Sequence, residues 1–211
     1  MQTSRRSILK GSILASLAGT MGAAAIGASA AEKQAALPKK EYDLVICGLG
    51  IGGIVTAIRA AQDGLKPVIL EKMSSASGNT IYSAGFMLGV NTKMQQEKKL
   101  ETGDTVDKFY EDMMKVSQGR GDPKLTRLVA EKADETLNWL HDYVGVKYAV
   151  GMKLVWPMLQ RAHLTIGEKK PGGTQLMLYL LAKAKELNVP IVYNAKAVEL
   201  LDNPQNGKVI G

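Results

Sequence analysis

Tyr42-Asp43-Leu44-Val45-Ile46-Cys47-Gly48-Leu49-Gly50-Ile51-Gly52-Gly53 is the stretch that decides the fold of this 211-residue chain. Leu44 to Cys47 is a short apolar run, the pattern of a strand buried on both faces. Gly48, Gly50 and Gly53 follow at once in the spacing GxGxxG. Ile54, Val55, Ala57, Ile58, Ala60 and Ala61 then predict a small-residue helix, with Gly64 at the C-cap. Val68 to Leu70 predicts a second buried strand, and Glu71 stands at its end.

Each part has a physical task. Gly48 allows a tight turn out of the strand. Gly50 lets a diphosphate approach the backbone. Gly53 lets the helix pack close to the sheet, with its first N–H groups toward the phosphates. Glu71 lies 18 residues after Gly53, close to the ~20 expected for a carboxylate that accepts ribose hydroxyls. Gly52 in the turn and Lys72 beside the carboxylate complete this group of nucleotide-binding candidates. The simpler alternative is a glycine-rich turn with no ligand. The strand before it, the helix after it and the acid at the second strand tip argue for the nucleotide.

Composition narrows the function. Apolar residues make up 45% of the chain, enough for one globular domain with a real core. Cys47 is the only cysteine and there are two histidines. That excludes an intrachain disulfide, a zinc ribbon, an attached c-type haem and a histidine-rich metal site; no metal is expected. Net charge is +7. Residues 1–30 hold Arg5, Arg6 and Lys10 and no acid, which leaves 24 basic residues against 20 acidic in the remainder. The basic residues are scattered and aromatics are 5%, which excludes nucleic acid as a partner. A basic face for a dicarboxylate and a merely solvated surface both remain open.

Ser4-Arg5-Arg6-Ser7-Ile8-Leu9-Lys10 resembles the twin-arginine export signal. A weakly apolar segment from Leu14 to Ile26 follows, then Ala28-Ser29-Ala30 as an A-x-A cleavage site. Residues 1–30 therefore read as a signal peptide, 31–40 as a polar linker, and 41–211 as the mature domain, delivered to the periplasm. The twin-arginine route carries folded proteins, which suits a tightly held dinucleotide.

After Lys72 come Ser77-Gly78-Asn79-Thr80 and Ser83-Ala84-Gly85. Together with the strand–GxGxxG–helix–strand–Glu71 unit, they resemble the flavoprotein subunits of the fumarate reductase and succinate dehydrogenase superfamily. The soluble periplasmic fumarate reductases of the flavocytochrome c type are the nearest in look. The resemblance implies an α/β, Rossmann-like FAD-binding domain with a parallel sheet, of which this chain holds the N-terminal part. It implies FAD as cofactor, with Gly78, Asn79, Thr80, Ala84 and Gly85 along the diphosphate and flavin. It also places the backbone of Ala197 and Val198 against the adenine. Two positions depart from the family: Ser77 replaces the first Gly of the Gly-Gly-Asn turn, and Phe86 replaces the second Gly of Ala-Gly-Gly.

The remainder predicts helices from Thr105 to Val116 and from an Asp122 N-cap with Pro123 at N1. Leu125, Leu128, Val129, Ala133, Leu137 and Leu140 form the second helix's apolar stripe. Trp139 and Tyr143 read as core and His141 as a helix-end histidine. Met87 to Gly103 reads as a polar connection and Val146 to Pro157 as irregular, and for Asn79 and Thr80 an ordinary polar loop is the alternative to lining the cofactor. Arg161-Ala162-His163 followed by Pro171-Gly172-Gly173 matches a further segment of the family. This pair either shapes the substrate side of the flavin or is a structural hydrogen-bond pair, the reading we favour. Thr174 is expected as the N-cap of a last helix. Ile191–Tyr193, Ala197–Leu201 and Lys208–Ile210 read as strands, with Asn203 to Gly207 as a turn.

The resemblance covers residues 41–211, less than half of a family member, so the chain reads as an N-terminal fragment. The family's proton-delivering arginine and its carboxylate-clamping His and Arg belong to later segments. No residue here is carried over as catalytic. The implied activity is reduction of fumarate or a related enoate. Electrons would come from a separate c-type cytochrome, since the chain has no haem motif and the periplasm offers no NADH. A flavin-dependent dehydrogenase of a ketosteroid or other bulky substrate, and a non-catalytic FAD-binding fragment, are the alternatives. A nicotinamide-dependent dehydrogenase is disfavoured by export and by the long excursion after Glu71.

Overall fold

The structure is a computed structural model that describes residues 41–76, 78–100, 103–154, 159–168, 172–207 and 209. The export signal, cleavage site and linker expected within 1–40, and Ser77, Pro171, Lys208 and Ile210, lie outside the described residues.

Three strands, β1 (Leu44–Cys47), β2 (Pro67–Leu70) and β6 (Ile191–Val192), form a parallel sheet in the order β1-β2-β6. Helix α1 (Ile51–Gln62) makes the crossover from β1 to β2. Val45 pairs with Val68, and Ile69 pairs with Ile191. The chain thus leaves the sheet after β2 and returns to the neighbouring position about 120 residues later. Gly64, with φ +82°, turns the chain after α1 and donates its N–H to the Ala61 carbonyl, as the C-cap reading predicts.

Strand β1 is not buried on both faces. Leu44 and Ile46 are half-buried while Val45 and Cys47 are exposed. The cause is the two-residue period of a strand at the edge of the described sheet. One set of side chains meets the core under α1, and the other points away from it. The core on the covered side joins Ile54, Ile58 and Ile69 to Leu176 and Leu180 of α6 (Gly173–Glu186), with Leu140 and Val146 behind them.

The excursion carries its own antiparallel sheet, ordered β3-β5-β4: β3 (Phe86–Leu88), β4 (Lys147–Met152) and β5 (Ala162–Ile166). Between β3 and β4 lie α3 (Lys93–Glu97), α4 (Val106–Val116) and α5 (Pro123–Trp139), and a π-helical turn (Leu140–Val144). The first four-residue helix, α2 (Asn79–Tyr82), precedes β3. Asn79 and Thr80 are therefore helical, not loop, and the supposed connection after Met87 holds the end of β3 and all of α3. Within the stretch expected to be irregular, Lys147–Met152 is a strand whose alternation is broken by the bulge between Val150 and Met152, and residues 155–157 lie outside the described residues.

Both helix starts in the middle of the chain are as predicted. Thr105 accepts from the Lys108 N–H at 3.1 Å, and Asp122 accepts from Lys124 and Leu125 at 2.8 and 3.0 Å. The stripe on α5 is half right. Ala130, Ala133 and Leu137 are buried, with Phe109 of α4 against the alanines, whereas Leu125 (63% exposed), Leu128 and Val129 face outward. Small alanines let α5 lie close to α4, so the contact runs along the alanine arc and not along the larger leucines. Trp139 and Tyr143 stack at 5.8 Å at the rim of the core, and Trp139 Nε1 donates to Gln62 of α1 at 3.0 Å. His141 sits in the π turn with its Nδ1 on the Val146 carbonyl at 2.8 Å. Residues 197–201 form no strand: Val198, Leu200 and Leu201 are exposed, and among the described residues the later hairpin shows one bridge, Asp202 to Val209.

Candidate functional site

The site begins at the elbow between β1 and α1. Gly48 has φ +102°, a region costly for any side chain but glycine. A Cβ on Gly53 would run into the Gly48 carbonyl oxygen, so the first turn of α1 can lie on the strand exit only as glycine. Gly50 and Gly52 differ: a Cβ on either would meet nothing within 4 Å. Their lack of a side chain is not required by the protein's own packing, and open space lies in front of them.

Two side chains from later in the chain hold this elbow. Glu71 is 6% exposed. One of its oxygens accepts the Leu49 N–H at 2.7 Å, and the other accepts the Met73 N–H at 2.8 Å. These bonds, at Met73 and Leu49, outweigh burial and hold the Glu71 carboxyl below its ordinary range, so it is an anion at neutral pH. Thr80 Oγ1 accepts the Ile51 N–H at 3.0 Å, which leaves its own hydroxyl hydrogen free to point onward. The first amide of α1 is thus capped by a group that can itself donate.

The second turn is built around close backbone contacts. Gly78 (φ +89°) opens α2 and Gly85 (φ +73°) opens β3. A Cβ on Gly85 would collide with the backbone of Gly172 and Gly173, and one on Gly173 would collide with the Thr80 carbonyl. The Gly173 N–H reaches Ser83 O at 3.0 Å and the Thr165 N–H reaches Gly85 O at 3.0 Å. The α6 start is therefore welded to the turn that carries Asn79, Thr80, Ala84 and Gly85. Its N-cap is Gly172, not Thr174; the Thr174 hydroxyl instead donates to Ile81 O at 2.9 Å. A Gly-Gly pair serves here because no side chain fits between α2 and α6.

A cavity of about 270 Å³ opens beside the elbow at the C-terminal tips of β1 and β2, lined by Cys47, Gly48, Glu71, Lys72, Lys196 and Ala197 among others. It brings Gly48, Glu71, Lys72 and Ala197 together from distant parts of the sequence. Val198 is next in the chain, 83% exposed, and does not line it. Cys47 and Lys196 carry no site signal in the sequence: Cys47 reads as strand interior, and nothing local to Lys196 marks it.

A family model described as an FAD binding domain matches residues 43–211. The chain belongs to this FAD-binding family. A fumarate reductase (cytochrome) of Shewanella frigidimarina is 30% identical over 173 residues, which cover 81% of this chain and 30% of that protein. A urocanate reductase of Eggerthella lenta is 32% identical over 178 residues, 81% of this chain and 28% of that protein. The open conformation of a flavocytochrome c3 fumarate reductase matches in structure with a TM-score of 0.67 and 27% identity, over 77% of this chain and 28% of that chain. This chain thus spans about 30% of the length of these relatives.

The geometry fits FAD. The elbow offers open space where a diphosphate needs to touch backbone, and the cavity beside it carries a carboxylate with lone pairs to spare. Phe86 and Gly85 do not conflict: Phe86 is half-buried, with its backbone paired to Leu164, and leaves the Gly85 contact intact.

Arg161, just before β5, and His163, on β5 at the centre of the antiparallel sheet, are both buried. Arg161 makes a bidentate pair with Asp104, Nε and Nη2 each at 2.6 Å, and its Nη1 reaches Asp112 at 2.7 Å. Its guanidinium lies over the Phe109 ring at 4.9 Å. His163 is fully buried, with Nδ1 on the Arg161 carbonyl at 2.9 Å and Nε2 on Thr92 Oγ1 at 2.8 Å. The structural reading of this pair accounts for these contacts, and among the described residues both acidic partners of Arg161 come from the α3–α4 region. Asp104 and Asp112 carried no signal in sequence, because a carboxylate at a helix start or on a helix face is ordinarily solvated.

Proposed function

We propose that this chain is the FAD-anchoring part of an exported oxidoreductase that reduces a carbon–carbon double bond conjugated to a carboxylate, in fumarate or a related enoate. The observation that carries the proposal is the elbow. Its two inner amides are taken by Glu71 and Thr80, while Gly50 and Gly52 face open space. In this reading Gly48, Gly50, Gly52 and Gly53 bend around the diphosphate. Thr80 turns its hydroxyl hydrogen to a phosphate oxygen. Glu71 accepts ribose hydroxyls on its remaining lone pairs, with Lys72 at the mouth of the cavity. Gly78, Asn79, Ala84 and Gly85 carry the backbone along the diphosphate toward the flavin, and Ala197 and Val198 lie along the adenine.

Bound FAD supplies a hydride-transferring ring system; this part of the chain binds and orients it. The alkene takes a hydride at the carbon β to the carboxylate and a proton at the other carbon. Fumarate and urocanate, named by the two relatives, share this conjugated acid, which supports the enoate class. Export by the twin-arginine signal at Arg5 and Arg6 and electron supply from a separate c-type cytochrome complete the proposal.

The test is spectral. The complete oxidoreductase of which this chain is the FAD-anchoring part should show an oxidised-flavin band that reduced viologen bleaches and that fumarate, urocanate or another enoate restores. Restoration by a ketosteroid alone would assign a different substrate class. No restoration by any enoate would end the substrate proposal and leave FAD binding standing.

A further inference from the structure

We infer that His163, Thr92 and Gln95 form a buried hydrogen-bond relay that lets His163 take up a proton inside the folded protein. His163 is fully buried on β5, between β3 and β4, two residues from Thr165, whose N–H holds the Gly85 carbonyl. A buried histidine commonly stays neutral, because charging it turns an accepting nitrogen into a donor with nothing to receive it. The arrangement around His163 removes that obstacle.

Nδ1 faces the Arg161 carbonyl, which only accepts, so Nδ1 carries a hydrogen in every state. In the neutral ring Nε2 must then accept, and the group in reach is the Thr92 hydroxyl at 2.8 Å. Thr92 has a second acceptor for the same hydrogen, Gln95 Oε1 at 3.0 Å. When a proton arrives at Nε2, that nitrogen donates to Thr92 Oγ1, and the hydroxyl hydrogen rotates to Gln95 Oε1. Gln95 Oε1 already accepts the Thr92 N–H at 2.9 Å and has one lone pair left for it. Thr92 Oγ1 accepts the Gln95 N–H at 3.3 Å and likewise has one lone pair for Nε2–H. No hydrogen bond is lost in either state, and the change needs only a hydroxyl rotation.

Gln95 is fixed for this task. Its Nε2 donates to Gly89 O at 3.1 Å and Gln160 O at 2.8 Å, so its oxygen cannot flip away. Arg161, one residue before β5, is matched by two carboxylates, Asp104 before α4 and Asp112 on α4. The carbonyls of Arg161, just before β5, and of Met87, on β3, favour the charged ring. From β4 the Tyr148 ring meets His163 edge-on at 5.9 Å, with its hydroxyl kept protonated by burial, and His141 lies beyond it at 6.4 Å from Tyr148. Thr92 and Gln95, from the start of α3, are uncharged. Burial still pushes His163 below the ordinary histidine value, so the proton enters on the acid side of neutrality.

The test is a titration of the intact protein with ring-¹⁵N histidine, with His141→Asn assigning the two histidine signals of this chain. At pH 8 His163 should be neutral with its hydrogen on Nδ1. On acidification it should titrate reversibly below about 6.5 while near-ultraviolet dichroism remains native. Thr92→Val, which deletes the relay and keeps the shape, should lower the midpoint by about one pH unit or more, and Thr92→Ser should restore it. A hydrogen on Nε2 at pH 8, a ring that stays neutral until the chain unfolds, or an unchanged midpoint in Thr92→Val would each overturn the inference. The first two readings need only the parent protein.

Discussion

At the scale of single residues, the four glycines of the elbow separate into two kinds. Gly48 and Gly53 are required by the fold itself, one by its φ of +102° and one by the Gly48 carbonyl above it. Gly50 has an ordinary φ of −80° and no neighbour for a Cβ. Gly50→Ala should therefore leave stability within about 0.5 kcal/mol while weakening FAD binding about tenfold or more, roughly 1.4 kcal/mol. Denaturant melts and flavin titration measure the two effects separately. Glu71 gives the opposite pattern. A glutamine there keeps one acceptor and turns a donor toward the other backbone N–H. Glu71→Gln should thus cost about 1–3 kcal/mol from the unpaired amide and should weaken FAD as well. The sign with pH is fixed by the lowered carboxyl pKa. Glu71's contribution is complete above the ordinary glutamate value of about 4.3 and is lost as pH falls through the lower folded value. Melts of Glu71→Gln between pH 7 and pH 3 should show a flatter acid limb than the parent.

At the scale of elements, the β1–α1–β2 unit and both mid-chain helix starts were legible because each is written in local chemistry: glycine spacing, Asp122-Pro123, Thr105. The antiparallel sheet was not. Strand β4 is half-buried from Tyr148 to Gly151, exposed at both ends and interrupted at Gly151, so no clean alternation survives. Helix α6 begins at Gly172 and not at the better capping residue because the Gly172–Gly173 backbone must touch α2 and Gly85, a tertiary demand with no local trace. The α4–β5 connection rests on one buried guanidinium. Arg161→Ala would strand Asp104 in the interior, and the expected loss is about 3–5 kcal/mol in denaturant melts. Asp112→Asn should cost less, because Asp112 is the more exposed of the two acids and keeps an oxygen for Nη1. Equal losses for the two variants would mean that the bidentate Asp104 pair is not the main strut.

At the scale of the whole molecule, residues from three distant segments meet at one cavity: the β1 exit, the β2 exit and the stretch after β6. The sequence marked the first two by pattern and the third through family likeness alone, since Ala197 has no distinguishing neighbour. Cys47, expected inside a two-sided strand, is exposed and lines that cavity, which makes the only thiol of the chain a reporter. Iodoacetamide should label Cys47 readily in the free protein and several-fold more slowly with saturating FAD, read by intact mass; equal rates would place the nucleotide elsewhere. The most direct measurement compares flavin retained per chain in the purified parent and in Gly50→Ala, both checked for folding. The account predicts a yellow parent with about one FAD per chain and a folded variant that retains clearly less. A folded parent that neither carries FAD nor takes it up, or a Gly50→Ala variant as yellow as the parent, would contradict it.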